Sequence, residues 1–214
     1  MTELFADSDK LHVITTNNLF GQEHSNYIKN LILDYERKNP VGMDSNVKAW
    51  SSDYETHLKT DVFSDYLNLI CKFTKSYTNK DMFVSDFWLS HYQKGNYTVL
   101  HNHGGYWKTE EASGSIGGGG AAGSVNENTH LASVDGAEKW SYHVDTYYAG
   151  PAISGCYYPH VEEGASPIIF EGLEPIYPVS DTLIIFSPEM NHEVPPTDTE
   201  RIVMSFNLFD DSKR

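Results

Sequence analysis

The sequence predicts an α+β chain that is mainly β, with two helices followed by a β-sandwich or barrel. Apolar residues recur at helical spacing in two segments of the first 80 residues. From about residue 81 the pattern changes to two-residue alternation and to short apolar runs bounded by Gly, Pro, Asp or Ser. The length of 214 residues suits one domain. We therefore expect residues 1–80 to form a helical flank of the same domain whose core spans residues 81–214.

The first helix is predicted within "SNYIKNLILDYERKNP", residues 25–40. Ser25 can cap its start, because a serine hydroxyl accepts a free N–H of the first turn, and Asn39–Pro40 ends it. Its apolar stripe consists of Ile28, Leu31, Ile32 and Tyr35.

The second helix is predicted within residues 60–80, with Asp61 as its cap. Its apolar stripe consists of Val62, Tyr66, Leu69, Ile70 and Phe73. Residues 45–60 between the two helices are polar and contain one Trp, so we expect an extended loop there.

The strands of the core begin with "MFVSDFWLSHYQKG", residues 82–95, in which the side chains alternate between two faces. Alternation places these residues on one face: Phe83, Ser85, Phe87, Leu89 and His91. Further strands are predicted within residues 151–159, 166–172, 181–188 and 201–209. The Gly-rich segment at about 104–150 lacks the Lys-Ser/Thr of a phosphate-binding loop, so we expect a flexible insertion.

The formal net charge of -15 and the pI near 4.9 exclude nucleic acid and anionic membranes as expected partners, because a negative field repels their phosphates. No segment has the apolar length of a membrane span, and the N-terminus shows no secretion signal. Cys71 and Cys156 form no metal-type pair and are expected to be reduced, packed thiols. These features predict a cytoplasmic location, and a homodimer is left open.

The stretch "HNHGGYW" contains two histidines separated by one residue. Alternation along a strand directs His101 and His103 into one cavity. His192 follows the apolar run "TLIIF" and lies where a strand is expected to meet a loop. Two imidazoles from one strand end and a third from a distant strand would form a three-ligand metal site with open positions.

Arg201 begins the apolar run "RIVMSFN". An arginine among buried neighbours needs an anionic partner. One interpretation is an internal ion pair with one of the 30 acidic residues; the other is a clamp for a ligand carboxylate, which a guanidinium binds in bidentate fashion. Ser205 faces the same side by alternation and could add a hydroxyl donor.

The order of these segments resembles the Fe(II)/2-oxoglutarate-dependent oxygenases. The resemblance is carried by "HYQKGNYTVLHNH", "ISGCYYP", "DTLIIFSPEMNHEVPP" and "RIVMSFN", with "AWSSDYETHLKT" upstream, and covers most of residues 45–210. It is strongest for the subfamily with a His-x-His motif, which occurs in bacteria and in tailed phages. The resemblance implies a double-stranded β-helix, which is a jelly-roll barrel with flanking helices. It also extends the expected cytoplasmic location to a phage-infected bacterial host.

The resemblance implies an Fe(II)- and 2-oxoglutarate-dependent dioxygenase, a hydroxylase that oxidises a C–H bond and releases succinate and CO2. Its substrate would be a small molecule or a protein side chain. The implied iron ligands are His101, His103 and His192. The implied binding residues for 2-oxoglutarate are Arg201, which holds its distal carboxylate, together with Ser205, Tyr92 and Tyr158. The two tyrosines could equally be core aromatics.

The chain departs from the common pattern of the superfamily at the metal ligands. Most members have His-x-Asp where this chain has His101-x-His103. The insertion contains a competing pair, His143 and Asp145, although only the first pair follows a Tyr-x-x-Gly segment at the usual distance. Asp145 could also join the first pair as the carboxylate ligand, or the insertion could be a lid with both residues at the substrate entrance.

Two other functions stay open. A non-catalytic jelly-roll module, either a binding protein or a virion-associated one, fits the missing carboxylate ligand and the long insertion. A cupin-like metalloenzyme that works without 2-oxoglutarate fits the histidines but leaves the carboxylate clamp at Arg201 without a purpose.

Overall fold

The computed structural model describes residues 2–6, 11–104, 131–134, 137–140 and 151–211. Its helices are α1 (Gln22–Lys38), α2 (Thr56–Lys59) and α3 (Ser64–Thr78). Its first strands are β1 (Thr2–Ala6), β2 (Leu11–Asn17), β3 (Val47–Lys48), β4 (Trp50–Ser51), β5 (Met82–Tyr92) and β6 (Tyr97–His101). The later strands are β7 (Leu131–Val134), β8 (Ala137–Trp140), β9 (Ile153–Val161), β10 (Ile169–Phe170), β11 (Thr182–Phe186), β12 (His192–Val194) and β13 (Arg201–Asp210).

The strands form antiparallel sheets, which confirms the prediction of a mainly β chain with few helices. The large sheet has seven strands in the order β1-β2-β11-β9-β13-β5-β4, and a smaller sheet has four in the order β10-β12-β6-β3. Strands β7 and β8 pair with each other. The first 80 residues contribute β1 to β4 to these sheets as well as the three helices.

The large sheet buries both of its faces, because each packs against a different layer. Its outer face packs against α1 and α3 in a cluster that includes Ile28, Ile32, Phe63, Ile70, Phe87, Leu89, Met204 and Phe206. Its inner face packs against the smaller sheet in a second cluster that includes Val13, Tyr92, Tyr158, Ile184, Phe186, Val203, Val47, Phe170 and Val194. Two sheets with their apolar sides together make a sandwich-like core.

Helix α1 starts three residues before the predicted cap, and the prediction for Ser25 is wrong. Ser25 lies within the helix, is buried, and donates its hydroxyl to the carbonyl of Pro159 at 2.6 Å. The carboxylate of Asp181 instead accepts the N–H groups of Phe20 at 3.0 Å and Gly21 at 2.7 Å. A carboxylate is stabilised at a helix N-terminus by the free N–H groups and the helix dipole. The predicted end at Asn39 is confirmed, since it caps the C-terminus.

Helix α3, unlike α1, starts later than predicted. Asp61 does not cap it; its carbonyl accepts the Ser64 N–H at 2.9 Å in the turn before the helix. The predicted stripe is wrong in part, because Val62 and Leu69 are exposed by 47% and 46%. The face that packs against the sheet consists of Phe63, Leu67, Ile70 and Thr74.

Residues 45–60 are not the extended loop that the sequence predicts. Strand β3 joins the smaller sheet beside β6, β4 joins the large sheet beside β5, and α2 follows. Because β3 and β4 are separated by one residue, this segment connects the edges of the two sheets.

Strand β5 shows the predicted alternation only from Phe87 onward. The register of β13 against β5 shifts at Ser85, which is an extra residue in β5. Such a bulge moves the preceding side chains to the opposite faces. Val84 therefore packs against the outer-face cluster, and Phe83 contacts Phe209 with ring centroids 5.9 Å apart. The predicted placement of Phe83 and Ser85 beside Phe87 is wrong for this reason.

Cys71 and Cys156 are free thiols, as expected for packed cysteines. Burial raises the pKa of each thiol to about 11. Among the described residues, no helix has the length and apolar character needed to cross a membrane.

Candidate metal centre

Three histidines lie close together at the paired ends of strands β6 and β12 in the smaller sheet. His101 is the last residue of β6, His192 is the first of β12, and the two are paired directly across the strands. His103 lies two residues beyond β6, where its N–H donates to the carbonyl of Pro188 at 2.9 Å. One ring nitrogen from each histidine lies within 4.8 Å of the other two. This spacing suits three imidazoles that share one metal ion.

Each of the three rings has its Nδ1 beside an oxygen acceptor. The Nδ1 of His101 is 2.9 Å from the carbonyl of Val99, and that of His192 is 2.9 Å from the carbonyl of Met190. The Nδ1 of His103 is 2.9 Å from Oδ1 of Asn207. A carbonyl oxygen only accepts, so each Nδ1 carries the proton and each Nε2 keeps its lone pair. Metal-binding histidines are held in this way.

The three imidazoles are neutral near pH 7. Burial, with a smaller contribution from the nearby His101, lowers the pKa of His103 to about 3. Burial, followed by the neighbouring histidines, lowers the pKa of His192 well below its usual value, and burial also lowers the pKa of His101. Neutral rings can give their lone pairs to a cation without first losing a proton.

Residues of three adjacent strands support His103. Ser154 of β9, Asn207 of β13 and Asp86 of β5 lie opposite one another in the large sheet. Ser154 Oγ lies 2.8 Å from His103 Nδ1 and donates to Asn207 Oδ1 at 2.8 Å. Asn207 Nδ2 donates to Asp86 Oδ2 at 3.1 Å. The sequence interpretation did not include this support, although two-residue alternation from Arg201 reaches Asn207.

The residue between the two histidines braces the turn. Asn102 donates from Nδ2 to Asn191 Oδ1 at 2.8 Å and accepts the Gly104 N–H at 3.0 Å. Asn191 in turn donates to Glu171 at 2.7 Å. These bonds connect the His-x-His segment to the loop before His192, so both sides of the histidine cluster are held together.

Aromatic rings pack against two of the three histidines, His103 and His192. Trp88 meets His103 edge to face with ring centroids 5.8 Å apart. Phe170 and Phe186 lie 5.5 and 4.8 Å from the ring of His192. The same two phenylalanines belong to the inner-face cluster. The histidine cluster therefore borders the apolar space between the two sheets.

Arg201 lies in that space with few polar partners. Its side chain is 2% exposed. Nη1 donates to the carbonyl of Ser166 at 3.1 Å, and Nε is buried without a hydrogen-bond partner. The ion pairs among the described residues do not include Arg201. The internal ion pair considered from the sequence is therefore not found among the described residues, and the guanidinium keeps an unused donor.

Tyr92 and Tyr158 flank the guanidinium, whose central carbon lies 4.4 and 5.4 Å from their ring centroids. The hydroxyl of Tyr92 is 2.6 Å from Oγ1 of Thr98, and that of Tyr158 accepts from the Cys156 thiol at 3.2 Å. Burial raises the pKa of Tyr158 well above its usual value, so it stays protonated. Both tyrosines also belong to the inner-face cluster, so they serve packing as well as the guanidinium.

Ser205 is half-buried on β13, opposite Trp88 of β5. The pairing of β13 with β5 runs without a shift from Arg201 to Ser205, so alternation puts both residues on the inner face. The competing candidates His143 and Asp145 lie outside the described residues.

The sequence matches no protein-family model and no curated protein. One solved structure with a similar fold is a viral collagen prolyl hydroxylase from Paramecium bursaria Chlorella virus-1 in its 2-oxoglutarate complex, at 12% identity and a TM-score of 0.56, covering 92% of this chain and 94% of that chain. Another is HygX from Streptomyces hygroscopicus with nickel and 2-oxoglutarate bound, at 11% identity and a TM-score of 0.58, covering 93% and 82%.

A third is a prolyl hydroxylase from Trichoplax adhaerens in complex with a hypoxia inducible factor peptide fragment, at 14% identity and a TM-score of 0.55, covering 94% of this chain and 85% of that chain. At such low identities the likeness shows the fold. This chain therefore shares the fold of the prolyl hydroxylases and of HygX over most of its length.

Proposed function

We propose that this chain is an Fe(II)- and 2-oxoglutarate-dependent dioxygenase that hydroxylates a C–H bond of its substrate. One observation carries the proposal: the three-histidine cluster and a buried, under-partnered guanidinium border the same space between the two sheets. The first suits a metal ion, and the second suits the far carboxylate of a cosubstrate that also reaches the metal.

His101, His103 and His192 would hold the iron. Their donor set fits a divalent transition metal, because three neutral imidazoles converge and each is fixed through Nδ1. Fe(II) and 2-oxoglutarate would supply the oxidising chemistry with O2, which ends in succinate, CO2 and a hydroxylated product. The residues of the chain hold both groups in place, and Trp88, Phe170 and Phe186 exclude water from them.

Arg201 would bind the distal carboxylate of 2-oxoglutarate. Its unpartnered Nε supports this role, since a buried donor without an acceptor is destabilising until a ligand satisfies it. Tyr92 and Tyr158 would form the walls of the cosubstrate site, and Ser205 would add a hydroxyl donor on the same face.

The similar structures support the proposal through their fold and through the groups they bind, namely 2-oxoglutarate, and nickel in HygX. Fold alone does not fix activity, so the argument depends on the histidines and Arg201. We further propose that the two sheets form the double-stranded β-helix of this fold, and that residues 1–80 are a flank of the same domain as the 81–214 core.

The substrate class proposed is a small molecule or a protein side chain. HygX has been captured with hygromycin B, and the Trichoplax enzyme with a peptide. The location in the cytoplasm, including that of a phage-infected host, stays a prediction.

Uncoupled turnover tests the function without a known substrate. Anaerobic protein is loaded with Fe(II) and 2-oxoglutarate, O2 is admitted, and succinate is measured. We expect succinate from the wild type and from Asp145→Ala, and none above background from His101→Ala or Arg201→Ala. Loss in Asp145→Ala as well would place that carboxylate in the metal site or on its substrate side.

The rival functions give different results in the same series. A non-catalytic module would yield no succinate from the wild type and no increase in thermal stability when Fe(II) and 2-oxoglutarate are added together. A metalloenzyme without a cosubstrate would gain stability from the metal and none from 2-oxoglutarate. Either pattern would overturn the proposed function.

A further inference from the structure

The support of His103 differs from that of the other two histidines. His101 and His192 donate to backbone carbonyls of Val99 and Met190, which cannot reorient without moving the chain. His103 donates to the side-chain amide of Asn207, which can rotate by 180° and present either its oxygen or its nitrogen. The tautomer of His103 therefore depends on what fixes the amide of Asn207.

Asp86 fixes the amide of Asn207. An ionised carboxylate only accepts hydrogen bonds, so the amide nitrogen of Asn207 must face Asp86, as the 3.1 Å contact requires. The amide oxygen then faces His103 and accepts from it at 2.9 Å. The hydroxyl oxygen of Ser85, the bulge residue of β5, lies 2.9 Å from the same carboxylate oxygen of Asp86 and 3.2 Å from the Asn207 carbonyl, so its single O–H is shared between the two acceptors. His103 thus donates to the amide oxygen of Asn207, and the amide nitrogen of Asn207 donates to Asp86, so the carboxylate sets the direction of both hydrogen bonds.

The charge of the cluster gives this chain of bonds a further role. An imidazole that gives its lone pair to a metal is neutral, so a bound dication keeps its full charge within the described set of three histidines. Asp86 is half-buried, and the ion pairs of the described residues leave it without a lysine or arginine partner. A carboxylate that reaches a metal ligand through hydrogen bonds makes the imidazole more basic and a better donor.

We propose that Asp86 and Asn207 are positioning residues of the metal centre. Asp86 orients the amide of Asn207, Asn207 holds His103 in the tautomer that frees Nε2, and the negative charge of Asp86 compensates for the carboxylate that the ligand set lacks. The inference depends on the proposed metal site, but not on 2-oxoglutarate or on catalysis.

Co²⁺ alone, without cosubstrate, is the probe. Its dissociation constant is measured by absorption titration and chelator competition in the wild type, Asp86→Asn, the double variant Asp86→Asn/Asn207→Asp, and Asp81→Asn. Asp86→Asn keeps acceptors for Asn207 and Ser85 but removes the charge, and we expect about 10- to 100-fold weaker Co²⁺ binding. Asp81→Asn removes an exposed carboxylate just before β5, where it pairs with Lys75, and should leave the affinity unchanged.

The double variant separates positioning from a merely structural role. It moves the carboxylate from position 86 to position 207, where it accepts directly from His103 while the amide introduced at position 86 donates to it. We expect the double variant to bind Co²⁺ at least tenfold more tightly than Asp86→Asn. If Asp86 had only a structural role, the second substitution would add to the damage and the affinity would not recover. If Asp86→Asn fails to fold, as seen by thermal unfolding, the double variant is compared with the wild type: a Co²⁺ affinity within about tenfold of the wild type supports the proposal, and a loss of about 100-fold or more overturns it.

Two outcomes overturn different claims. Equal Co²⁺ affinity in the wild type and Asp86→Asn, together with strong loss in His101→Ala, would refute the role of Asp86 and leave the proposed function intact. Equal affinity in the wild type and His101→Ala would show that the histidines do not hold the metal, which would refute the proposed metal centre itself.

Discussion

Replacing Arg201 with Met should stabilise the ligand-free protein, or leave its stability unchanged, while it abolishes the binding of 2-oxoglutarate. The guanidinium is 2% exposed, donates one hydrogen bond to the Ser166 carbonyl, and has a buried Nε without a partner. A side chain kept for folding would have its donors satisfied. A side chain kept for binding a ligand can leave a donor unsatisfied in the free protein, because the ligand supplies the missing acceptor.

The expected change in the free energy of unfolding on replacing Arg201 with Met is the balance of opposing contributions. Burial of an unpaired cation costs several kcal/mol. The hydrogen bond to Ser166 returns about 1.5–3 kcal/mol, and the contact with the ring of Tyr92 at 4.4 Å returns up to about 2 kcal/mol. Met retains apolar packing in the same space. We expect a change in the free energy of unfolding between zero and about +2 kcal/mol, with Tm rising by about 2–4 °C per kcal/mol.

Thermal unfolding with and without 2-oxoglutarate, in the presence of Ni²⁺ and without O2, checks both parts. At 100 times its Kd the cosubstrate should add about 2.7 kcal/mol to the wild type and nothing to Arg201→Met. Arg37→Met is the matched control, since that arginine is exposed on α1 and its change should stay within about 0.5 kcal/mol. A loss of more than about 1 kcal/mol in ligand-free Arg201→Met, or an undiminished response to 2-oxoglutarate, would refute this reasoning.

Three further predictions concern the fold around the site. Gly155→Ala should lower the free energy of unfolding by about 1–3 kcal/mol in urea titrations, because an added Cβ would lie 2.6 Å from Cε2 in the ring of the fully buried Phe206 and 2.9 Å from the carbonyl oxygen of Ile184. Asp181→Asn should cost about 1–2 kcal/mol, measured the same way, since it weakens the acceptor for two N–H groups at the start of α1 while the amide tolerates the left-handed backbone at φ 64°. Glu200→Gln should destabilise the protein at pH 7, and the difference should shrink as the pH falls below about 4.3. Burial raises the pKa of Glu200, but the hydrogen bond and charge of His91 with nearby cations lower it more, so the folded-state pKa is below the unfolded one and the contribution is lost as the pH falls through it.

The features set by local pattern could be predicted from the sequence. The later strands and the helix end at Asn39 follow from alternation and breaker residues. The meeting of His101, His103 and His192 is expected from the order of the segments, although His103 lies beyond the end of β6 and not on the strand that alternation assumes. The position of Arg201 among buried neighbours could also be predicted, because it begins an apolar run, but its own burial at 2% exposure is evident only in the structure.

The features set by distant partners could not be predicted in the same way. The start of α1 depends on Asp181, which is 160 residues away along the chain, so Ser25 was a plausible but wrong cap. The faces of β5 depend on a bulge at Ser85, which exists only in the pairing with β13. The contact of Asn207 with Asp86 likewise arises from the register between two strands. Such pairings are tertiary facts, and a one-dimensional pattern does not contain them.

The charge balance of the proposed complex leaves room for one more negative charge near the metal, and two carboxylates, Asp86 and Asp145, are candidates to supply it. Fe(II) with neutral imidazoles carries two positive charges, Arg201 adds one, and 2-oxoglutarate brings two negative charges, which leaves one positive charge in a space of low polarity. Either Asp86 through Asn207, or Asp145 as a direct ligand, would neutralise it. If Asp145 binds the metal, the charge of Asp86 is redundant and Asp86→Asn should change Co²⁺ affinity by less than about threefold. If Asp145→Ala leaves both Co²⁺ binding and succinate formation intact, Asp145 does not neutralise the remaining charge, and we expect the full effect of Asp86→Asn, about 10- to 100-fold.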